Sequence, residues 1–182
     1  VASCTIASVP SVTVCGPLCP WWNRGWAALL GDPSGVPHTR RNFARDTFAA
    51  DSGDGVAQLA HWPVVSSDAD EIGAAVVSDL RRATGRFPDD RHLAALVRDL
   101  RTTSARFDEL WGSGAVGAHR EAHKTIHHPA VGPVTVDCDV LSDGDAELKI
   151  VVLTTVPGSE DDSKFRLALL AGVHDTREHA RG

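Results

Sequence analysis

The sequence predicts an α+β domain in which helices pack on an antiparallel sheet, and three observations point there. Through the first two thirds of the chain, apolar residues recur at three- and four-residue steps; in the last third they alternate with polar ones. Helical and strand patterns are therefore segregated along the chain rather than interleaved. The composition is that of a folded chain: 182 residues, 42% of them hydrophobic and 23% charged, suffice to enclose one core in one domain.

Taken in order, SVPSVTVC alternates Val9, Val12 and Val14 imperfectly and reads as a short strand, broken by Gly16 and Pro17. WWNRGWAALLGDPSG reads as a short helix with Trp22, Trp26, Leu29 and Leu30 on one face and Gly31 and Pro33 as its stop. RRNFARDTFAA supplies a further helical turn or two, and DSGDG is a loop. The strongest helix is DADEIGAAVVSDLRRATG: Ile72, Val76, Leu80 and Ala83 form a stripe, acidic residues crowd the first turn, arginines the last, and Gly85 ends it. FPDD is the turn, and Asp89 or Asp90 caps the next helix, whose stripe is Leu93, Leu96, Val97 and Leu100. Ser104 then caps a third helix, ARFDELW, that points Phe107, Leu110 and Trp111 inward.

Beyond this the period becomes two. Val134, Val136, Cys138 and Val140 alternate with Thr135, Asp137 and Asp139, the pattern of a half-buried strand. SDGDA is a turn, and ELKIVVLTTV is a second strand whose more continuous apolar run makes it the more central. The two form an antiparallel hairpin, Pro157 and Gly158 end it, and FRLALLAG is a short closing helix.

Charge narrows the function classes. The net charge is −6, and no basic run exceeds Arg40-Arg41 or Arg81-Arg82, too little to displace counterions from a duplex. No stretch approaches the roughly 20 apolar residues of a membrane span. The first twenty residues hold no Lys or Arg and three prolines, unlike a signal peptide. Met is absent even at position 1, which points to a processed, truncated or non-standard start, and a soluble cytoplasmic protein is expected. Cys4, Cys15, Cys19 and Cys138 complete neither a zinc set nor a disulfide framework and read as buried or idle thiols.

Catalytic signals are weak. HREAHKTIHH spaces His119, His123 and His127 by four residues, which on a helix would stack three imidazoles. It lacks the H-E-x-x-H pattern, however, and lies between Gly-rich GSGAVG and Pro129, where a connecting strand or loop with exposed histidines is the plainer reading. No nucleophile elbow or phosphate-cradling loop appears, and Asp89-Asp90 and Glu160-Asp161-Asp162 sit in turns as caps or solvated groups. The sequence therefore calls for no enzyme, no cofactor and no metal. What remains is aromatic: Trp21, Trp22, Trp26, Trp62 and Trp111, with five Phe and no Tyr, either fill a core or line a pocket for an apolar ligand.

One ordered set of segments, WWNRGWAALLGD, RRNFARDTF, SDLRRATGRFPDDRHLAALVRDL, SARFDELW, HHPAVGPVTVDCDVL and LKIVVLTTVPGS, resembles the C-terminal ligand-binding domain of MmyB-like transcription regulators, common in actinobacteria. The likeness runs from about Val9 to Leu170. It implies a PAS-like domain that binds a small apolar, fatty-acid-like molecule and stands behind an N-terminal helix-turn-helix domain. By position, the family's recurrent residues fall on Trp22, Asn23, Arg41, Asn42, Phe48, Phe107, Trp111 and His128, the last with Pro129 opening a strand. Asp46 and Thr47 depart from the family's apolar residues.

The resulting expectation is a tail over residues 1–8, a PAS-like ligand-binding domain over 9–172 and a tail over 173–182, with the helix-turn-helix domain absent. The ligand's apolar part would lie against Trp22, Trp26, Phe48, Phe107 and Trp111, and its polar head would meet Arg41, Asn42 or His128. DNA would be reached only through a missing or separate helix-turn-helix domain, with no membrane partner and a possible homodimer. Two other classes compete: a dimerisation module without a ligand, and a metal-dependent enzyme using His119, His123 and His127.

Overall fold

The computed structural model describes residues 11–15, 21–37, 40–49, 59–118, 122–142 and 149–178. Strands β1 (Ser11–Cys15) and β2 (Trp21–Trp22) pair antiparallel, with Thr13 opposite Trp22 and Val14 opposite Trp21. The tryptophan pair expected to open a helix thus stands in a strand. Aromatic rings suit extended backbone, and Asn23 supplies the boundary: its Oδ1 accepts the Trp26 backbone N–H at 2.9 Å, so helix α1 (Arg24–Leu30) starts behind it. The helix stops at Gly31, as predicted, with φ at 92°. A Cβ there would lie 2.6 Å from the His61 ring, so the close approach also requires glycine.

Helix α2 (Phe43–Thr47) is the short one expected, capped by Asn42, whose Oδ1 accepts the Arg45 N–H at 3.1 Å. The DSGDG loop lies outside the described residues. Strand β3 (Val64–Ser66), unanticipated, leads into α3 (Ala69–Arg86), which runs one residue past Gly85. Asp90 then caps α4 (Arg91–Thr103) by accepting the N–H groups of His92 and Leu93. Ser104 ends α4 and caps α5 (Ala105–Ser113) through the Phe107 N–H, as its position predicted.

The last third is β4 (Ala122–His128), β5 (Gly132–Ser142), β6 (Lys149–Thr154) and α6 (Glu160–Glu178). Two expectations change here. His128-Pro129 closes a strand rather than opening one, because proline has no N–H to give the ladder and begins the turn to Gly132. The closing helix is also longer than FRLALLAG: Ser159 Oγ accepts the Asp162 N–H at 3.0 Å, and three acidic residues occupy the first turn. The SDGDA turn lies almost wholly outside the described residues.

Among the described residues the six strands form one antiparallel sheet, ordered β2-β1-β6-β5-β4-β3. Strands β6 and β5 share the middle of this order, so β6 is no more central than β5, although its more continuous apolar run had indicated that it would be. Alternation sorts the side chains of the sheet cleanly: Ala122, Ile126 and His128 on β4, Val134, Val136 and Cys138 on β5, and Val151 and Leu153 on β6 are buried. His123, His127 and Thr135 face out.

The helices fall into two groups, of which α1 and α6 cover the buried face. Trp26, Leu29 and Leu30 of α1 and Phe165 of α6 pack with the sheet residues in one core. Ala44, Phe48, Val76, Val77, Leu96, Val97, Leu100 and Phe107, from α2 to α5, build a second. The protein is thus an α+β domain with helices packed on a sheet. The second group is held to the sheet by the Lys149–Asp79 ion pair at 3.3 Å and by Phe43, which packs against both cores.

Candidate functional site

The residues singled out in the sequence fall into two neighbourhoods, one for each core. In the first, Trp26 is 5% exposed and its indole N–H donates to Leu59 O at 3.3 Å. Trp22 is half-buried against the same core, and the Arg41 guanidinium lies over its ring at 5.0 Å. Arg41 in turn donates to Val36 O at 2.7 Å and Ser34 O at 2.8 Å, which fixes the segment between α1 and α2. Asn23 and Asn42 both serve as helix caps.

In the second neighbourhood, Phe48 and Phe107 are each 0% exposed and meet edge to face at 5.1 Å. Trp111 stacks on Phe107 at 5.6 Å and carries the Arg81 guanidinium over its ring, 5.0 Å from the ring centre. These three rings fill one another's surroundings. The structure does not bring them together with Trp22 and Trp26; Phe43, from α2, stands between the two sets and touches both cores.

His128 is buried, and its bonding explains why. Nδ1 accepts the backbone N–H groups of Ala130 and Val131 at 3.2 and 3.3 Å, so the ring proton sits on Nε2, which donates to Ala28 O at 3.0 Å. The side chain thereby ties the β4–β5 turn to α1. Its ring also meets Trp62 edge-on at 5.8 Å, and Trp62 meets His61 at 5.9 Å.

Two of the three histidines spaced by four in the sequence are spread along a strand. His123 and His127 lie on the outer face of β4, four residues apart and so roughly 13 Å from each other, too far to share one ion. His123 instead pairs with Asp137 at 2.7 Å across the ladder. His119 lies outside the described residues. Among the described residues no group of three or more His, Cys, Asp or Glu is placed to hold a metal.

Several interactions at the site were not anticipated from the sequence. Asp46 accepts the Leu59 N–H at 2.6 Å and so anchors the chain that brings Ala60 and Trp62 to the core. The Trp62 indole N–H and the Ser66 hydroxyl are buried with no hydrogen-bond partner. Lys124 is half-buried on the inner face, its ammonium 5.8 Å from the Phe43 ring. Beside it, burial pushes the Cys138 thiol up, and the Lys124 charge and hydrogen bond pull it partly back. The period-two run from Ala122 to His128 could have placed Lys124 on the buried face, since it alternates with the exposed His123 and His127.

Compared with known families, the chain matches the model of the MmyB-like transcription regulator ligand binding domain over residues 20–169. No curated protein matches it. No helix among the described residues is long and apolar enough to cross a membrane.

Proposed function

The chain belongs to the MmyB-like transcription regulator ligand binding domains, and from that membership we propose that its ligand is a small apolar, fatty-acid-like molecule received in the seam between the two cores. The observation that carries the reading is Phe43, packed against both cores at once. On the sheet side the seam is walled by Trp22 and Trp26; on the helical side the Phe48–Phe107–Trp111 stack stands behind it. Arg41, Asn42 and His128 stay as polar groups at its margin. Asn23 holds Trp26 in place from the helix cap.

The strand order supports a PAS-like reading of the fold, since the first hairpin lies beside the last strand and the helices inserted between cover one face. The role is binding rather than catalysis, in the cytoplasm, with no resident cofactor. The mechanism is a population shift: a molecule that binds one packing of α2 against the sheet better than another changes what an attached helix-turn-helix domain experiences. Fluorescence offers the test, because Trp22, Trp26 and Trp62 border the seam. Titration with a panel of saturated fatty acids should shift tryptophan emission saturably. Unchanged emission across the panel, with no lipid co-purifying by mass spectrometry, contradicts the reading.

A dimerisation module without ligand is favoured by one feature, Leu167 and Leu170, which stand 57% and 64% exposed one turn apart on α6. Light scattering separates the two: a dimer indifferent to fatty acid and broken by Leu167→Glu supports the second reading.

A further inference from the structure

We propose that the Asp79–Lys149 ion pair is the latch of a lid: helices α2–α5 swing as one body about Phe43, and the pair sets how fast a ligand enters and leaves the seam. The inference rests on the ligand-binding reading above and adds a means of regulating it. Helices α3, α4 and α5 pack on one another, and α2 packs on α3, around a core of their own. A body with its own core can turn without breaking that core, so the motion is resisted only by its links to the sheet. At the α2 end Phe43 packs in both cores, and Asp46 accepts the Leu59 N–H where the chain leaves for β3. That end is the pivot.

At the α3 end the link is a charge. Lys149 shares its side of β6 with the buried Val151 and Leu153. Its ammonium meets Asp79 Oδ1 at 3.3 Å, and the two side chains are only 20% and 23% exposed. The same oxygen accepts Arg82 Nη2 at 2.8 Å, one turn further along the helix. Asp79 therefore keeps a cation when α3 parts from the sheet, while the freed ammonium of Lys149 gains water. An apolar contact in this place would expose its surface to water at every opening. The ion pair exchanges a partner for solvent at small cost, which keeps the closed and open forms close in free energy.

Two measurements on the full chain test the latch. In hydrogen exchange without ligand, Lys149→Gln should speed exchange in α3 by about fivefold, the upper worth of such a pair, and leave β5 and α6 unchanged. Lys149→Arg should restore the wild-type rate. Stopped-flow tryptophan emission then follows decanoate. Lys149→Gln should raise its association and dissociation rates together, each by about fivefold, and leave Kd within about twofold, because the latch acts on the path and not on the bound state. Unchanged exchange in α3 overturns the latch. Faster exchange in every segment, with a lower melting temperature, overturns it as a general loss of stability. Faster exchange in α3 with unaltered decanoate rates overturns its control of ligand entry, and in each of these cases saturable decanoate binding leaves the ligand reading standing. If decanoate does not bind the wild type, the ligand reading falls and the gate falls with it.

Discussion

Replacing Phe107 by alanine tests whether the ring stack behind the seam is closely packed. The side chain is 0% exposed, meets Phe48 edge to face at 5.1 Å and lies under Trp111 at 5.6 Å. Losing a fully buried Phe costs about 3–5 kcal/mol, counting the transfer of the ring from water and the cavity left where neighbours cannot collapse. Collapse is hindered here, because Phe48 is itself fully buried and Ser104 pins the Phe107 backbone N–H at 3.0 Å. The upper part of that range is therefore expected, about 4 kcal/mol, out of a total of roughly 5–15 for a folded domain. At about 2–4 °C per kcal/mol for a chain of this length, the melting temperature should fall by about 8–16 °C. Urea unfolding followed by far-ultraviolet circular dichroism measures the change, and an unaltered m-value shows that the same surface unfolds. In a double-mutant cycle, Phe48 and Phe107 should couple by about 1 kcal/mol, the ring-pair contribution beyond buried area. A loss below about 1 kcal/mol for Phe107→Ala would refute this packing and mean that the ring faces open space.

Two further predictions follow from named bonds. The Gly158 backbone N–H, and after it the Arg166 guanidinium, hold the buried Asp162 carboxyl below the usual carboxylate range. A carboxyl depressed in the folded state stabilises at pH values above its unfolded value near ~4, and that stability is lost as pH falls through the folded value. Melting temperature should therefore hold steady from neutral pH downward and drop below about pH 4, and Asp162→Asn should be less stable at pH 7 and flatter in acid. Parallel curves for the two proteins would discredit the assignment. Asn42→Ala should cost about 1 kcal/mol through loss of the α2 cap, whereas Asn42→Ser should keep most of it. If the serine variant melts like wild type yet no longer shifts its emission with fatty acid, Asn42 touches the ligand as well as the helix.

Much of the helical layer was legible because its signals are local. The stripe Leu93, Leu96, Val97 and Leu100 is buried throughout, and Asp90, Ser104 and Gly31 act at the ends they mark. Strand β5 was equally plain, since Val134, Val136 and Cys138 keep strict alternation. What escaped depends on partners far along the chain. Trp21 and Trp22 are strand residues because β1 pairs with them, and the three residues of β3 form only against Ile126, Thr125 and Lys124. Strand β4 was read for its histidines, which concealed that Ala122, Lys124, Ile126 and His128 point inward. Trp22, Trp26, Phe48, Phe107 and Trp111, which the sequence set against one ligand, are each buried or half-buried. Their division between two cores is set by helix packing, which no spacing in the sequence records.

Hydrogen exchange with and without decanoate tests the central claim most directly, because it reports on the seam residue by residue. A ligand that binds the folded state slows the local openings it opposes. Binding in the seam should slow exchange in α2 and from Leu59 to Trp62 and leave the C-terminal half of α4 unchanged. Exchange that is the same throughout, or slowed only in segments remote from Phe43, would contradict a ligand site between the two cores.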